Sequence, residues 1–284
     1  MKKLFQFLML LLLLGLVSCK KAGTTGPEPL SLEPGQLKVM TFNIRSVTNE
    51  SQAMNNWCMR GQACRLMVEY EQPSIVGMQE LAEEQWAYMY GTLSGKGYAG
   101  LMDERDCRNS FLFRPDLLEL GENGLFWLSD TPEKSSNSWD GYVRTCQWAK
   151  LTVKATGKVF LFVNTHLGLT SDSRSKGLKL IVKRIEQYNP ENHPVVLMAD
   201  FNTHSTDAIF DTVRETMVCT RDVAPITDDV KTYNAWGEEA RAYICDHIWI
   251  SADMNCSEYK TVTYPYDGHT YVSDHYPVYS IIKF

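Results

Sequence analysis

Ser273-Asp274-His275 sets a carboxylate and an imidazole on adjacent tethers, just ahead of an apolar run ending at Ile282. One group of such a pair can hold a cation while the other meets an anion or moves a proton. Alone, the dipeptide is also an ordinary turn. Its partners lie upstream, each where an apolar run begins or ends: Asn43, Glu80, His166, Asp200 with Asn202, and Asp246 with His247. Asp200 and Asn202 are two apart, so an extended backbone would turn both to one face. A carboxylate beside a carboxamide suits hard-cation binding or water positioning, because both offer oxygen. Adding Glu80 and Asp274 gives an oxygen-rich set that favours Mg²⁺ or Mn²⁺ over zinc. The chain has no C-x-x-C pair, which argues against a zinc or redox site. Neither His247 nor His204 acquires a role from its neighbours, so both read as structural.

These residues need strands to carry them. Apolar runs predict strands over Leu37–Phe42, Ser74–Met78, Ser110–Arg114, Leu118–Leu120, Cys146–Val153, Val159–Asn164, Val195–Ala199, Tyr243–Ser251 and Tyr276–Phe284. Helical spacing of apolar residues predicts helices over Asn56–Tyr70, Leu81–Leu93 and Arg174–Tyr188. Gly121-Glu122-Asn123-Gly124 reads as a turn. Strands and helices alternate with no second linker, so residues 37–284 form one domain.

Ahead of that domain the composition changes. Lys2 and Lys3 precede an apolar run from Leu4 to Val17, which reads as a secretory signal over residues 1–18. The run is short for a spanning helix, which needs about 20 apolar residues. Leu16-Val17-Ser18-Cys19 resembles the bacterial lipobox, and that resemblance implies a lipid on Cys19 and attachment to a membrane. Residues 19–36 would then be a flexible spacer, rich in Gly, Pro and Thr. The expected location is that of an exported bacterial lipoprotein, periplasmic or at the cell surface.

The formal charge of the 284 residues is −6, and removing residues 1–18, with two lysines and no acid, leaves −8. An acidic domain is a poor general trap for polyanions, so nucleic acid is a disfavoured partner. Eight cysteines are present. Setting Cys19 aside leaves an odd number, so at least one is free unless chains are cross-linked. Cys58 and Cys64 are close enough to pair or to share a helix, and a link between Cys107 and Cys146 is a second option.

Six segments now stand in order: Thr41-Phe42-Asn43-Ile44-Arg45, Gly77-Met78-Gln79-Glu80, Asn164-Thr165-His166-Leu167, Ala199-Asp200-Phe201-Asn202, Asp246-His247-Ile248-Trp249 and Ser273-Asp274-His275-Tyr276-Pro277. Together they resemble the endonuclease/exonuclease/phosphatase superfamily, and the resemblance spans nearly the whole domain. The resemblance implies an α+β fold, an α/β/β/α four-layer sandwich of two packed mixed β-sheets flanked by helices. It implies Glu80 as the main Mg²⁺ ligand, with Asn43 and Asp274 near the metal or its waters. It implies Asp200 and Asn202 as the residues that orient the attacking water. His275 would face the phosphate, held by Asp246, with His166 as a second site histidine. Arg144 is a candidate phosphate contact, since guanidinium forks match phosphate oxygens. The stretch Leu101–Ser110, charged and carrying Cys107, departs from the glycine-rich pattern usual in the bacterial branch and leaves the substrate open.

The expected activity is divalent-metal-dependent phosphoester hydrolysis by a monomer, with a small phosphoester or lipid head group favoured. An exported nuclease is the alternative. A non-catalytic surface-binding lipoprotein is a second one, and would require loss of metal or water-orienting residues, none of which is missing.

Overall fold

Two-residue periodicity in the strands decides the architecture. In β1 (Gln36–Asn43), Leu37 and Val39 join one apolar cluster while Met40 and Phe42 join another. The same alternation recurs in β7 (Lys158–His166), where Phe160 and Phe162 point one way and Leu161 and Val163 the other. Strands that are apolar on both faces must be covered on both, so the chain forms layers.

The computed structural model describes residues 31–284. The expected leader and the lipid-bearing Cys19 lie outside the described residues. One six-stranded sheet adds to β1 the strands β2 (Ile75–Gln79), β3 (Ala99–Asp103), β4 (Asp106–Phe113), β11 (Asn255–Thr261) and β12 (Val278–Lys283). Its order is β11-β12-β1-β2-β4-β3. The other contains β5 (Leu118–Trp127), β6 (Thr145–Val153), β7, β8 (Val195–Asp200), β9 (Met217–Cys219) and β10 (Asp246–Ser251). Its order is β5-β6-β7-β8-β10-β9. Each is mixed: β1 and β2 run parallel, as do β7 and β8, and the remaining pairs are antiparallel.

The sheets pack face to face, and α1 (Trp57–Glu71) and α2 (Glu83–Leu93) cover the outside of the first through Cys64, Met67, Trp86 and Met89. On the outside of the second lie α3 (Ser171–Tyr188), through Leu178 and Ile181, and the short α4 (Asp211–Arg214). A further single turn, α5 (Thr220–Val223), follows β9. Between the sheets, Phe111 and Phe162 meet edge to face at 4.8 Å, a contact worth about 1 kcal/mol beyond its buried area.

A polar bridge locks the two sheets near one end. Asn164 of β7 donates to the carbonyls of Met78 and Asn109 at 2.9 and 2.8 Å, and accepts from Gln79 Nε2 at 2.7 Å. Gly77 permits this approach, because a Cβ there would sit 2.7 Å from Asn164 Oδ1.

Three sequence expectations are corrected. Gly121–Gly124 is no turn: it lies inside β5, where the register shifts between Leu120 and Asn123. β5 is an edge strand, so a bulge can absorb the glycines without breaking a central ladder. Strand β10 begins at Asp246 rather than Tyr243. All seven cysteines from Cys58 onward are free, so neither proposed pairing forms, and Cys58 and Cys64 share α1.

Candidate active site

The parity that packs the core also sets out the site. Residues of β1, β7, β8 and β10 that face the other sheet include Val39, Phe162, Met198 and Ile248. Counting in twos, forward along β1, β7 and β8 and back along the antiparallel β10, reaches Asn43, His166, Asp200 and Asp246. Their polar side chains therefore stand where the buried seam between the sheets opens. Register brings them together: Asp200 lies beside His166 on one side and Asp246 on the other. Glu80 follows β2 directly, and Asp274 and His275 precede β12.

The seam opens into a cleft of about 790 Å³ whose lining includes Glu80, Arg144, His166, Asp200, Asn202, Asp274 and His275. Asn43 and Asp246 lie beneath it, buried. Asp200 Oδ2 is the hub: Asn43 Nδ2 donates to it at 2.9 Å, and His166 Nε2 and His275 Nε2 approach to 3.3 and 3.6 Å. Asn43 Nδ2 also lies 3.2 Å from Glu80 Oε1, and the Ser46 N–H donates to Glu80 Oε2 at 3.2 Å. His275 Nδ1 donates to Asp246 Oδ2 at 2.9 Å.

Asn202 does not share an extended face with Asp200. Its φ is +54°, and its N–H folds back onto Asp200 Oδ1 at 2.9 Å. The side chain instead reaches across to His166 Nε2 at 2.9 Å and the Leu167 carbonyl at 3.0 Å. Arg45 and Glu80 also sit at left-handed φ, +58° and +62°. Such a conformation costs a non-glycine residue about 1–2 kcal/mol, and here three such residues surround one cleft.

Burial and neighbours divide the charges. Burial alone would neutralise His275, but the Asp246 and Asp200 carboxylates outweigh it and push its pKa up to about 10. Burial raises Asp200 to about 6, against the pull of His275. Asp246 is likewise buried, yet His275 holds it below the usual carboxylate range. His166 goes the other way. Burial, with the charges of Arg144 and His275, drives its pKa well down, so it stands neutral and accepts from Asn202. Arg144 is half-buried; its Nε has no hydrogen-bond partner among the described residues, and its guanidinium lies 5.7 Å from the Tyr142 ring centre.

Among the described residues, two groups could hold a metal. Asn43, Glu80 and Asp274 offer only oxygen, the donor set of a hard divalent cation. Arg45 faces the carboxylates of Asp274, Glu80 and Glu50, and Arg60 and His275 also act on Asp274. Burial lifts the Asp274 pKa, and a cation beside it would restore the ionised form. These residues fit Mg²⁺ or Mn²⁺. Asp200, Cys245, Asp246 and His275 also bring ligand atoms within 4.8 Å of one another. That cluster fits poorly, because His275 Nδ1 is committed to Asp246 and burial keeps the Cys245 thiol protonated.

Sequence reasoning missed the segment that ties these parts together. Thr232 Oγ1 accepts from the N–H groups of Cys245 and Asp246, both at 3.0 Å, and the Thr232 carbonyl accepts from Tyr276 N at 2.7 Å. Asn234 and Ala235 donate backbone N–H groups to the Asp274 carbonyl at 2.8 and 3.2 Å. The Tyr233 ring lies 4.9 Å from the His275 ring. Residues 232–235 thus strap the β10 end of one sheet to the β12 end of the other. Most of these links use backbone groups, so residue type carries little signal of them. Arg45, Arg108, Tyr142, Tyr243 and Arg241 complete the rim.

A model described as the Endonuclease/Exonuclease/phosphatase family matches residues 40–275. Among solved structures, an endonuclease/exonuclease/phosphatase from Bacteroides vulgatus has a TM-score of 0.78 at 25% identity, over 88% of this chain and 99% of that one. A Bacteroides thetaiotaomicron mannosyl-6-phosphatase gives 0.76 at 24% identity, over 87% and 100%. The human nocturnin catalytic domain with bound sulfate gives 0.70 at 17%, over 90% and 96%. An uncharacterised protein of Acanthamoeba polyphaga mimivirus is 23% identical across 87% of this chain and all of its own. With a match that runs from β1 to His275, the chain belongs to the endonuclease/exonuclease/phosphatase family.

Proposed function

We propose that the protein is a divalent-metal-dependent hydrolase of phosphoesters, acting on a small phosphoester or a lipid head group. One observation carries the reading: Asp200 Oδ2 is met by Asn43, His166 and His275 at 2.9, 3.3 and 3.6 Å on the floor of an open cleft. Membership of a family whose enzymes hydrolyse phosphoesters supports it.

Asp200 takes the proton of the attacking water, since at neutral pH its carboxyl is mostly ionised and lies within reach of the cleft. Asn202, pinned by Leu167, fixes the neutral His166, and the two hold that water and a phosphoryl oxygen in place. His275 remains an imidazolium, anchored by Asp246, and donates to a phosphoryl oxygen as charge builds there. Arg144 supplies a further cation to the same phosphate. A Mg²⁺ ion held by Glu80, Asp274 and Asn43 would supply positive charge against the phosphate and its leaving oxygen.

The acidic balance of the chain, −6 overall, argues against a nuclease. The test is a screen of the full chain on phosphomonoesters, phospholipids, and DNA and RNA, each with Mg²⁺ and with EDTA. Turnover of a small ester that tolerates rising salt is expected. Turnover confined to nucleic acid and steeply lost with salt would overturn the substrate reading. The same proposal places the protein at a membrane through lipid on Cys19, so Cys19→Ala is expected to move it to the soluble fraction.

A further inference from the structure

We infer that a second cavity, outside the catalytic cleft, binds a phosphate-bearing polyanionic chain, separately from the small phosphoester of the cleft. The cavity is a groove of about 620 Å³ between α3 and the loop before β6, lined by Asp130, Trp139, Lys176, Lys179, Lys183 and Arg184, among others.

Its charge is one-sided in an acidic protein. Four cationic side chains face one carboxylate, and that carboxylate is engaged by the Trp139 indole N–H at 3.0 Å. Lys176 has Asp172 as a partner and Arg184 has Glu133. Lys179 and Lys183 are exposed and have no ion pair among the described residues. Lys176, Lys179 and Lys183 fall at i, i+3 and i+7, so they share one face of α3. They span about 10 Å of helix axis, more than one phosphate covers, so the fitting ligand carries several charges in a row. Trp139 adds an apolar wall, with Lys176 Nζ 5.8 Å from its ring centre.

The groove is joined to the cleft by a rigid wall. The loop bearing Asp130 and Trp139 continues into Tyr142 and Arg144 of the cleft. Asp140 Oδ2 accepts from the N–H of Leu169, another cleft residue, at 2.7 Å. Ser138 and Ser173 share a 2.9 Å hydrogen bond. Gly168 sits where these segments cross, and a Cβ there would lie 2.1 Å from Ser173 Oγ. A polyanionic chain in this groove would therefore lie along a wall fixed relative to the cleft. The concave shape favours such a chain over a flat membrane surface.

The test uses the full chain and its Lys179→Glu/Lys183→Glu variant, with Lys179→Gln/Lys183→Gln as a milder second. Both positions are exposed, and circular dichroism checks folding. Inorganic tripolyphosphate and inorganic phosphate are titrated in EDTA, which keeps cations out of the cleft, while p-nitrophenyl phosphate turnover is followed separately in Mg²⁺. Tripolyphosphate is expected to bind about tenfold more weakly to the Glu variant, with a shallower salt dependence, and p-nitrophenyl phosphate turnover to change less than about twofold. Equal tripolyphosphate affinity in wild type and both variants would overturn the groove. Lysine-dependent capture by phosphatidylglycerol vesicles without tripolyphosphate binding would overturn it in favour of a membrane surface. Lysine-dependent tripolyphosphate binding by a protein that turns over no phosphoester would uphold the groove and overturn the hydrolase reading.

Discussion

Two buried histidines meet at strand β10, His247 within it and His275 packed against its first residue, one charged and one neutral. His275 packs on the seam side, against Asp246 and toward Asp200, and its pKa is pushed up to about 10. His247 points out of the other face, among Phe201, Phe210 and His204, and burial drags its pKa down to about 4. Its Nε2–H donates to the Thr203 carbonyl at 2.8 Å, and its Nδ1 has no partner among the described residues. Burial is the same; the neighbours differ. Carboxylates on one face turn an imidazole into a fixed cation aimed at a cleft, while aromatic rings on the other leave it a neutral packing unit. One residue along β10 thus separates chemistry from structure.

The sharpest way to break the comparison is at the charged end. His275→Ala, or the isosteric Asp200→Asn, is expected to cut kcat by about 10²–10⁴; His275→Ala should also lower the melting temperature, since it leaves the buried Asp246 carboxylate without its partner. A kcat within tenfold of wild type would remove His275 from the chemistry. Next comes the strap. Thr232→Val removes the acceptor that fixes Asp246, so kcat is expected to fall roughly tenfold, with Thr232→Ser restoring it. Equal losses in Val and Ser variants would mean packing alone matters. Arg144→Lys keeps the charge but loses the planar fork, so KM is expected to rise about tenfold with kcat held.

The neutral histidine makes the smallest change to activity and a distinct one to stability. In the unfolded chain His247 titrates near 6.5, above its folded value of about 4. Between those values the unfolded state binds more protons, so stability falls as the pH drops from about 6.5 to 4. The loss is on the order of 3 kcal/mol when complete. His275 has the opposite sign: its raised pKa adds stability as the pH falls from about 10 toward 6.5. His247→Gln is expected to flatten the acid-side loss in urea titrations at pH 4–7 and leave turnover within about twofold. An unchanged acid slope would remove His247 as its source.

Much of this was legible in the sequence because strand ends announce themselves. Val195–Asp200 is apolar until its last residue, and an abrupt carboxylate after such a run has few structural uses. Asn43, Glu80 and His166 likewise stand where mainly apolar runs end, after Phe42, Gln79 and Asn164-Thr165. Strands β3, β9 and β11 were not anticipated: β9 has three residues, and β3 and β11 are edge strands, with solvent-facing polar residues such as Asn255 and Lys260 in β11. The strap escaped because its links run mostly through carbonyls and N–H groups, which every residue has. Asn202 was placed on the right cleft for the wrong backbone reason, since a left-handed φ rather than an extended strand directs it.

The central claim is that Glu80, Asp274 and Asn43 hold a divalent cation that phosphoester hydrolysis requires. The most direct measurement is initial-rate hydrolysis of a responsive phosphoester by the full chain and by Glu80→Ala, titrated with Mg²⁺ after EDTA treatment. The account predicts no turnover in EDTA, saturable recovery with Mg²⁺ in the wild type, and little recovery in Glu80→Ala at any Mg²⁺ level. Full turnover in EDTA, or a wild-type Mg²⁺ response in Glu80→Ala, would contradict it.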